Sequence, residues 1–115
     1  MTLSRPTLLG AAVAALVSVS SGAQAARISC HNYGNGLGKM AGRGTPNPHG
    51  LPIVAHKSLP FGTRVRFANA YGYVDAIVKD RGPYYHGREY DLDCRAMRLL
   101  HIDGVGSVRT LILGR

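Results

Sequence analysis

Acidic residues are scarce in this chain of 115 residues: six Asp and Glu stand against fourteen Lys and Arg, a formal net charge of +8. Long apolar runs are scarcer still. One stretch, Leu8 to Val19, is apolar enough to notice, and it falls short of the roughly 20 residues that a membrane-crossing helix needs. No second run follows it, so stable insertion in a membrane is not expected. Arg5 precedes the run, and Ala23-Gln24-Ala25 ends it with the small residues of a cleavage site. Residues 1–25 therefore read as a secretory leader, cut between Ala25 and Ala26, with one domain over 26–115. Arg27-Ile28-Ser29 before Cys30 makes a poor lipoprotein signal.

Cysteine is limited to Cys30 and Cys94. In an exported domain of about 90 residues, whose core is small, a disulfide between them is the natural reading, worth about 2–4 kcal/mol. The alternative is two buried thiols. Metal-ligand spacing is missing: histidines 31, 49, 56, 86 and 101 show no tight pattern with cysteine or carboxylate, so no metal is expected. The glycines from Gly34 to Gly44 are not followed by Gly-Lys-Ser/Thr, which excludes a P-loop. No cofactor is expected. Repeats, heptads and low-complexity tracts are absent.

Removal of the leader leaves thirteen Lys and Arg against six acids, a net charge of about +7. Such charge favours polyanions and anionic surfaces. Export and the absence of a dense basic run argue against nucleic acid. The charge reads as a solvated surface that assists association with the cell wall.

What remains is β-rich. Strands are expected over 28–33, 51–56, 63–68, 73–79 and 107–113, with a glycine- and proline-rich loop over 34–50. In 63–68, Val65 and Phe67 alternate with Arg64 and Arg66, the period of a half-buried strand. Asn69-Ala70-Tyr71-Gly72 reads as the hairpin turn into the next strand. One helix is expected, capped by Asp93, built on Ala96, Met97, Leu99 and Leu100, and stopped at Asp103-Gly104. Short strands with one short helix suggest a small closed barrel.

Four of the six acids, Asp80, Glu89, Asp91 and Asp93, crowd into KDRGPYYHGREYDLDC, residues 79–94, beside Gly82, Pro83 and Gly87. This stretch and AHKSLPFGTRVRFAN, residues 55–69, together with Gly42-Arg43-Gly44-Thr45 and Tyr33-Gly34, resemble the double-psi β-barrel domain of rare lipoprotein A, the septal-ring lytic transglycosylase family. The resemblance covers essentially the whole chain after the leader. It implies a mainly β, six-stranded double-psi barrel with one or two short helices, and a groove for a glycan strand. It further implies cleavage between N-acetylmuramic acid and N-acetylglucosamine with a 1,6-anhydro end, on peptide-free peptidoglycan strands. The leader itself sets the expected location, the periplasm or outside the cell, and a monomer is expected.

Carried over residue by residue, Asp80 is the acid of Asp-Arg-Gly-Pro. On its own it reads as the cap of the Gly82-Pro83 turn; by resemblance it protonates the glycosidic oxygen and then takes the C6 hydroxyl proton. Such an acid needs a pKa raised by burial, which Val74 to Val78 would supply and Arg81 would oppose. His56 matches the Ala-His motif and would hold the acid or bond a sugar hydroxyl; alone it reads as structural. Asp91 would bond barrel amides, line the groove or work with Asp80. Arg81 is a further groove candidate. Tyr33, Tyr84 and Tyr85 are candidates for stacking on sugar faces. One departure stands out: Thr45-Pro46-Asn47-Pro48-His49 has histidine where family enzymes often have glutamate. His49 would still bond a sugar. A non-catalytic, expansin-like wall-binding module is the competing reading.

Overall fold

The computed structural model describes residues 22–34 and 40–115. The expected leader lies outside them except for its last four residues. Six strands, β1 (Gln24–His31), β2 (Ile53–His56), β3 (Arg64–Asn69), β4 (Gly72–Asp80), β5 (Tyr90–Asp93) and β6 (Val105–Gly114), close into a barrel in the order β1-β5-β2-β4-β3-β6. The helix α1 (Cys94–Leu99) links β5 to β6. β1 runs parallel to β5 and β2 parallel to β4, while the remaining neighbours are antiparallel. This is the mainly β double-psi architecture that the resemblance implies.

Alternation builds the core. Ile28, Val54, Val65, Phe67, Val78, Tyr90 and Leu92 point inward and are almost fully buried, and Met97 and Leu100 close the barrel from α1 and its C-terminal cap. Phe67 and Tyr90 meet edge to face with ring centres 5.1 Å apart. Removing a ring of this kind costs about 3–5 kcal/mol, because the cavity adds to the lost transfer energy. The disulfide is formed between Cys30 and Cys94. It closes a loop across a sequence separation of 64, worth about 4 kcal/mol by loop-closure entropy.

Several boundaries differ from the sequence reading. β1 begins at Gln24, inside the expected leader: Gln24 pairs with Thr110 and Ala25 with Arg109. Cleavage between Ala25 and Ala26 would remove those two pairs and leave Ala26 to Ser29 in the ladder. Tyr90–Asp93, outside the expected strands, is the strand β5, parallel to β1. The helix is capped by Asp93 as expected, but it ends at Leu100, with His101 taking the left-handed conformation (φ 59°) ahead of Gly104.

Candidate functional site: a carboxylate row on the outer face

Strand register assembles the site. Successive side chains in a strand point to opposite faces. Val54, Leu92 and Ile28 fill the barrel, so their neighbours Ala55, Asp91 and Ser29 point outward. Ser29 lies beside Asp91, Asp91 beside Ala55, and Ala55 beside Asp80. One row thus crosses β1, β5, β2 and β4. Its β4 end depends on an irregularity: Val54 pairs with Val78, but Ala55 pairs with Asp80, skipping Lys79. Bulges of this kind re-aim a side chain, and here the bulge brings the acid, not the lysine, onto the row. With adjacent strands about 4.8 Å apart, the Asp80 and Asp91 backbones lie roughly 10 Å apart across Ala55.

Both oxygens of Asp80 are held. The Tyr33 hydroxyl donates to Oδ2 at 3.2 Å, and the Ala41 amide donates to Oδ1 at 3.2 Å. Tyr33 packs with Met40 and Ile53 in a small apolar cluster outside the barrel. Burial, with the Asp80 charge second, pushes the Tyr33 phenol far above its ordinary value, so it stays a donor. The Ala41 amide is set by Gly42, whose N–H donates to the Lys79 carbonyl at 2.8 Å. A Cβ on Gly42 would fall 2.7 Å from that carbonyl oxygen and 2.9 Å from the Phe61 ring. Only glycine allows this approach.

Asp91 accepts from the Ser29 hydroxyl at 3.0 Å. Burial raises its pKa, Asp80 adds to the rise, and the Ser29 bond, His31 and Arg88 oppose it. Asp93, one pair further along β5, caps α1 through the Arg95 amide (3.0 Å) and pairs with the Arg95 guanidinium (2.9 Å). The disulfide joins the β1 residue beyond Ser29 to the residue beyond Asp93 and ties the β1–β5 edge of the row.

The other expected site residues are placed differently. His56 follows Ala55 on β2 and turns to the opposite face, where its ring lies 4.8 Å from that of Tyr90. Its Nδ1 accepts from the amides of Ser58 and Leu59, and its Nε2 sits 3.9 Å from Glu89. Burial lowers its pKa, with Glu89 opposing. Among the described residues, His56 has no hydrogen bond to Asp80. The Arg81 guanidinium turns to the β2–β3 turn. It donates to the carbonyls of His56 and Leu59 and lies 3.9 Å over the Phe61 ring. Tyr33 is 3 % exposed and offers no ring face to solvent; its observed work is to hold Asp80. Tyr84 and Tyr85 remain exposed on the loop between β4 and β5, with Arg88 over the Tyr85 ring. His49 is exposed and lines a separate cleft. Among the described residues no three His, Cys, Asp or Glu side chains are grouped to hold a metal ion.

Sequence reasoning missed the parts that orient the acid: the Tyr33 hydroxyl, the Ala41 amide and Gly42. Tyr33-Gly34 and Gly42-Arg43-Gly44-Thr45 are visible in the sequence, but nothing in either segment says that it reaches the end of β4.

The chain is 45 % identical over 92 residues to the probable endolytic peptidoglycan transglycosylase RlpA of Nostoc sp. strain PCC 7120, covering 72 % of this chain and 24 % of that protein. It is 38 % identical over 81 residues to the Synechocystis protein of the same name, covering 66 % of this chain and 25 % of that one. For the Aquifex aeolicus protein of that name the identity is 42 % over 77 residues, covering 59 % and 34 %. The chain thus spans about a quarter to a third of the length of these relatives. Among solved structures, the computationally designed protein msDPBB_sym2 superposes with a TM-score of 0.53 at 17 % identity, over 79 % of this chain and 99 % of that one, a likeness of fold alone. No protein-family model matches the chain.

Proposed function

Because the chain is an RlpA-like double-psi β-barrel, we propose that it is an exported lytic transglycosylase of peptidoglycan. It cleaves between N-acetylmuramic acid and N-acetylglucosamine and leaves a 1,6-anhydro end. The relatives' transglycosylase name supports the reaction class. The observation that carries the assignment to a residue is the fixing of both Asp80 oxygens, at the end of an outward-facing row, by Tyr33 and Ala41.

In this reading the Asp80 carboxyl gives its proton to the glycosidic oxygen as the bond to the anomeric carbon breaks. The C6 hydroxyl of the same muramic residue attacks that carbon, and its proton passes to Asp80. One C–O bond breaks, one forms, and the carboxyl is restored without water. Tyr33 and Ala41 fix the acid's direction, the kind of orientation that a proton transfer needs. Asp91 lies across Ala55, where a second carboxyl binds a sugar hydroxyl. His56 acts through the backbone of β2 and the turn it holds. Tyr84 and Tyr85 offer ring faces to the sugar. The protein works as a monomer, in the periplasm or outside the cell, after loss of residues 1–25. No helix among the described residues is long and apolar enough to cross a membrane.

One observation favours a second reading, a wall-binding module without cleavage: the loop Thr45-Pro46-Asn47-Pro48-His49 carries no carboxylate, and His49 stands exposed on it. Release of soluble fragments from purified peptidoglycan separates the two. The parent protein releases them and Asp80→Asn does not. Binding to the polymer with no release by the parent establishes the second reading instead.

A further inference from the structure

Two exposed tyrosines sit far from Asp80. Tyr71, in the turn between β3 and β4, is 67 % exposed, and Tyr73, at the start of β4, is 60 % exposed. Asp80 ends the same strand. At about 3.3 Å per residue, Tyr73 and Asp80 lie roughly 23 Å apart along β4. An exposed tyrosine says little by itself. What sets these two apart is that each ring is pinned on one face and open on the other.

The Arg66 guanidinium lies over the Tyr73 ring, 4.0 Å from its centre. That guanidinium also donates two hydrogen bonds to Asp75, at 2.8 and 3.0 Å, so it cannot leave the ring without breaking a bidentate pair. The Tyr71 ring stacks on the His101 ring, with centres 4.0 Å apart and planes 10° from parallel. Asn69 ties the turn to the same segment: it accepts from the Tyr71 amide and donates to the Leu100 carbonyl. His101 holds a left-handed backbone (φ 59°), a conformation unfavourable for a residue with a side chain. Glycine would adopt it freely and lose the stack. Beside the stack, a cleft of about 400 Å³ is lined by Arg98, His101, Ile102 and Asp103. Neither Arg98 nor Asp103 has an ion-pair partner among the described residues.

We propose that Tyr71 and Tyr73 form a second glycan-binding site, separate from the Asp80 site, that takes N-acetylglucosamine units, the uncharged sugars of a peptidoglycan strand. A sugar ring has an apolar C–H face and a rim of hydroxyls, and a tyrosine ring offers it a flat apolar face with a polar tip. Rings that are fixed before the sugar arrives lose little freedom on binding. Arg98 donates and Asp103 accepts, the mixed chemistry that sugar hydroxyls need. The same acids disfavour an anionic partner: Asp75 neutralises Arg66, and Asp103 lines the cleft. Phosphate headgroups and polyanions therefore gain little here. The second site holds a distant part of a strand, or a neighbouring strand, while Asp80 acts elsewhere. The inference rests on the glycan reading proposed above and adds a site to it.

The test is an NMR titration of backbone amides in the Asp80→Asn protein, which keeps the ligand intact. The probes are a short peptide-free peptidoglycan fragment and an N-acetylglucosamine tetramer. Both probes shift the amides of residues 70–74 and 98–104, as a set that saturates independently of the amides around Asp80. Tyr71→Ala and Tyr73→Ala, added singly, each weaken that set about twofold to tenfold. Tyr71→Phe, which keeps the ring, binds as before. His101→Gly, which keeps the turn and removes the stacking partner, weakens the set as Tyr71→Ala does. Shifts confined to the surroundings of Asp80 overturn the second site and leave the glycan reading standing. Shifts at 70–74 that both alanine variants retain at full affinity overturn the assignment to these rings. A peptidoglycan fragment that shifts 70–74 and nothing near Asp80 supports the second site and contradicts the placing of cleavage at Asp80. No shift anywhere with either probe overturns both.

Discussion

Tyr33 donates its hydroxyl to Asp80 across 3.2 Å, from a position 47 residues earlier in the chain. The ring is buried with Met40 and Ile53, so the hydroxyl cannot swing to another partner without unpacking that cluster. Tyr33 is therefore a positioning residue for the acid. Tyr33→Phe keeps the packing and removes the bond. The bond strengthens as the carboxyl gives up its proton and gains charge; a hydrogen bond to a charged group is worth about 1.5–3 kcal/mol, so kcat should fall about tenfold to a hundredfold with KM little changed. Steady-state kinetics on soluble strands checks this. A purely structural tyrosine would show a lowered melting temperature with kcat intact.

Gly42 tests the other donor. Adding one methyl group places it against the Lys79 carbonyl and the Phe61 ring. The loop must shift, and the Ala41 amide shifts with it. Gly42→Ala should cost about 1–3 kcal/mol of stability by overpacking and lower turnover at least about tenfold by misplacing the acid. Thermal melts and kinetics on the same preparation decide. A variant as stable and as active as its parent would show that the close approach does not matter.

Asp91 makes a prediction about pH. Burial raises its folded-state pKa above the ordinary value of 3.8, with Asp80 adding to the rise. The native state then holds a proton that the unfolded chain has released, so the unfolded state binds fewer protons and stability falls as pH climbs through that window. Asp91's contribution is complete below the unfolded value and lost above the folded one. Asp91→Asn cannot ionise, and its side-chain carbonyl still accepts from Ser29. Relative to the parent, its melting temperature should therefore rise as pH climbs from below the ordinary value of 3.8 through the raised folded-state value. A constant difference across that range contradicts the assignment of burial as the cause.

The part of this protein that could be read in advance is the part whose signals are local. Val65 and Phe67 alternate with Arg64 and Arg66, and Asn69 to Gly72 turns the chain, so β3 and β4 fall close to their expected positions. Asp93 announces the helix start. β5 was hidden because four residues, Tyr90-Asp91-Leu92-Asp93, carry a period too short to stand out, and its parallel partner β1 lies some 60 residues away. Its two outward aspartates read as a groove candidate and a helix cap; in space Asp93 is the cap, and Asp91 accepts from Ser29. The helix end was misplaced because His101, not a glycine, takes the left-handed position. Asp80 and Asp91 were legible through the family motif. Their common row was not, since it depends on strand order and on a bulge between Val54 and Ala55. Neither leaves a local trace in sequence.

The central claim is that Asp80 breaks the glycan strand without water. Its most direct measurement is mass spectrometry of peptide-free peptidoglycan digested with the purified protein, beside the Asp80→Asn variant. The account predicts fragments ending in 1,6-anhydro-muramic acid, each one water lighter than a hydrolysis product, from the parent alone. Hydrolysed ends from the parent, or anhydro ends from the Asp80→Asn protein in equal yield, would contradict it.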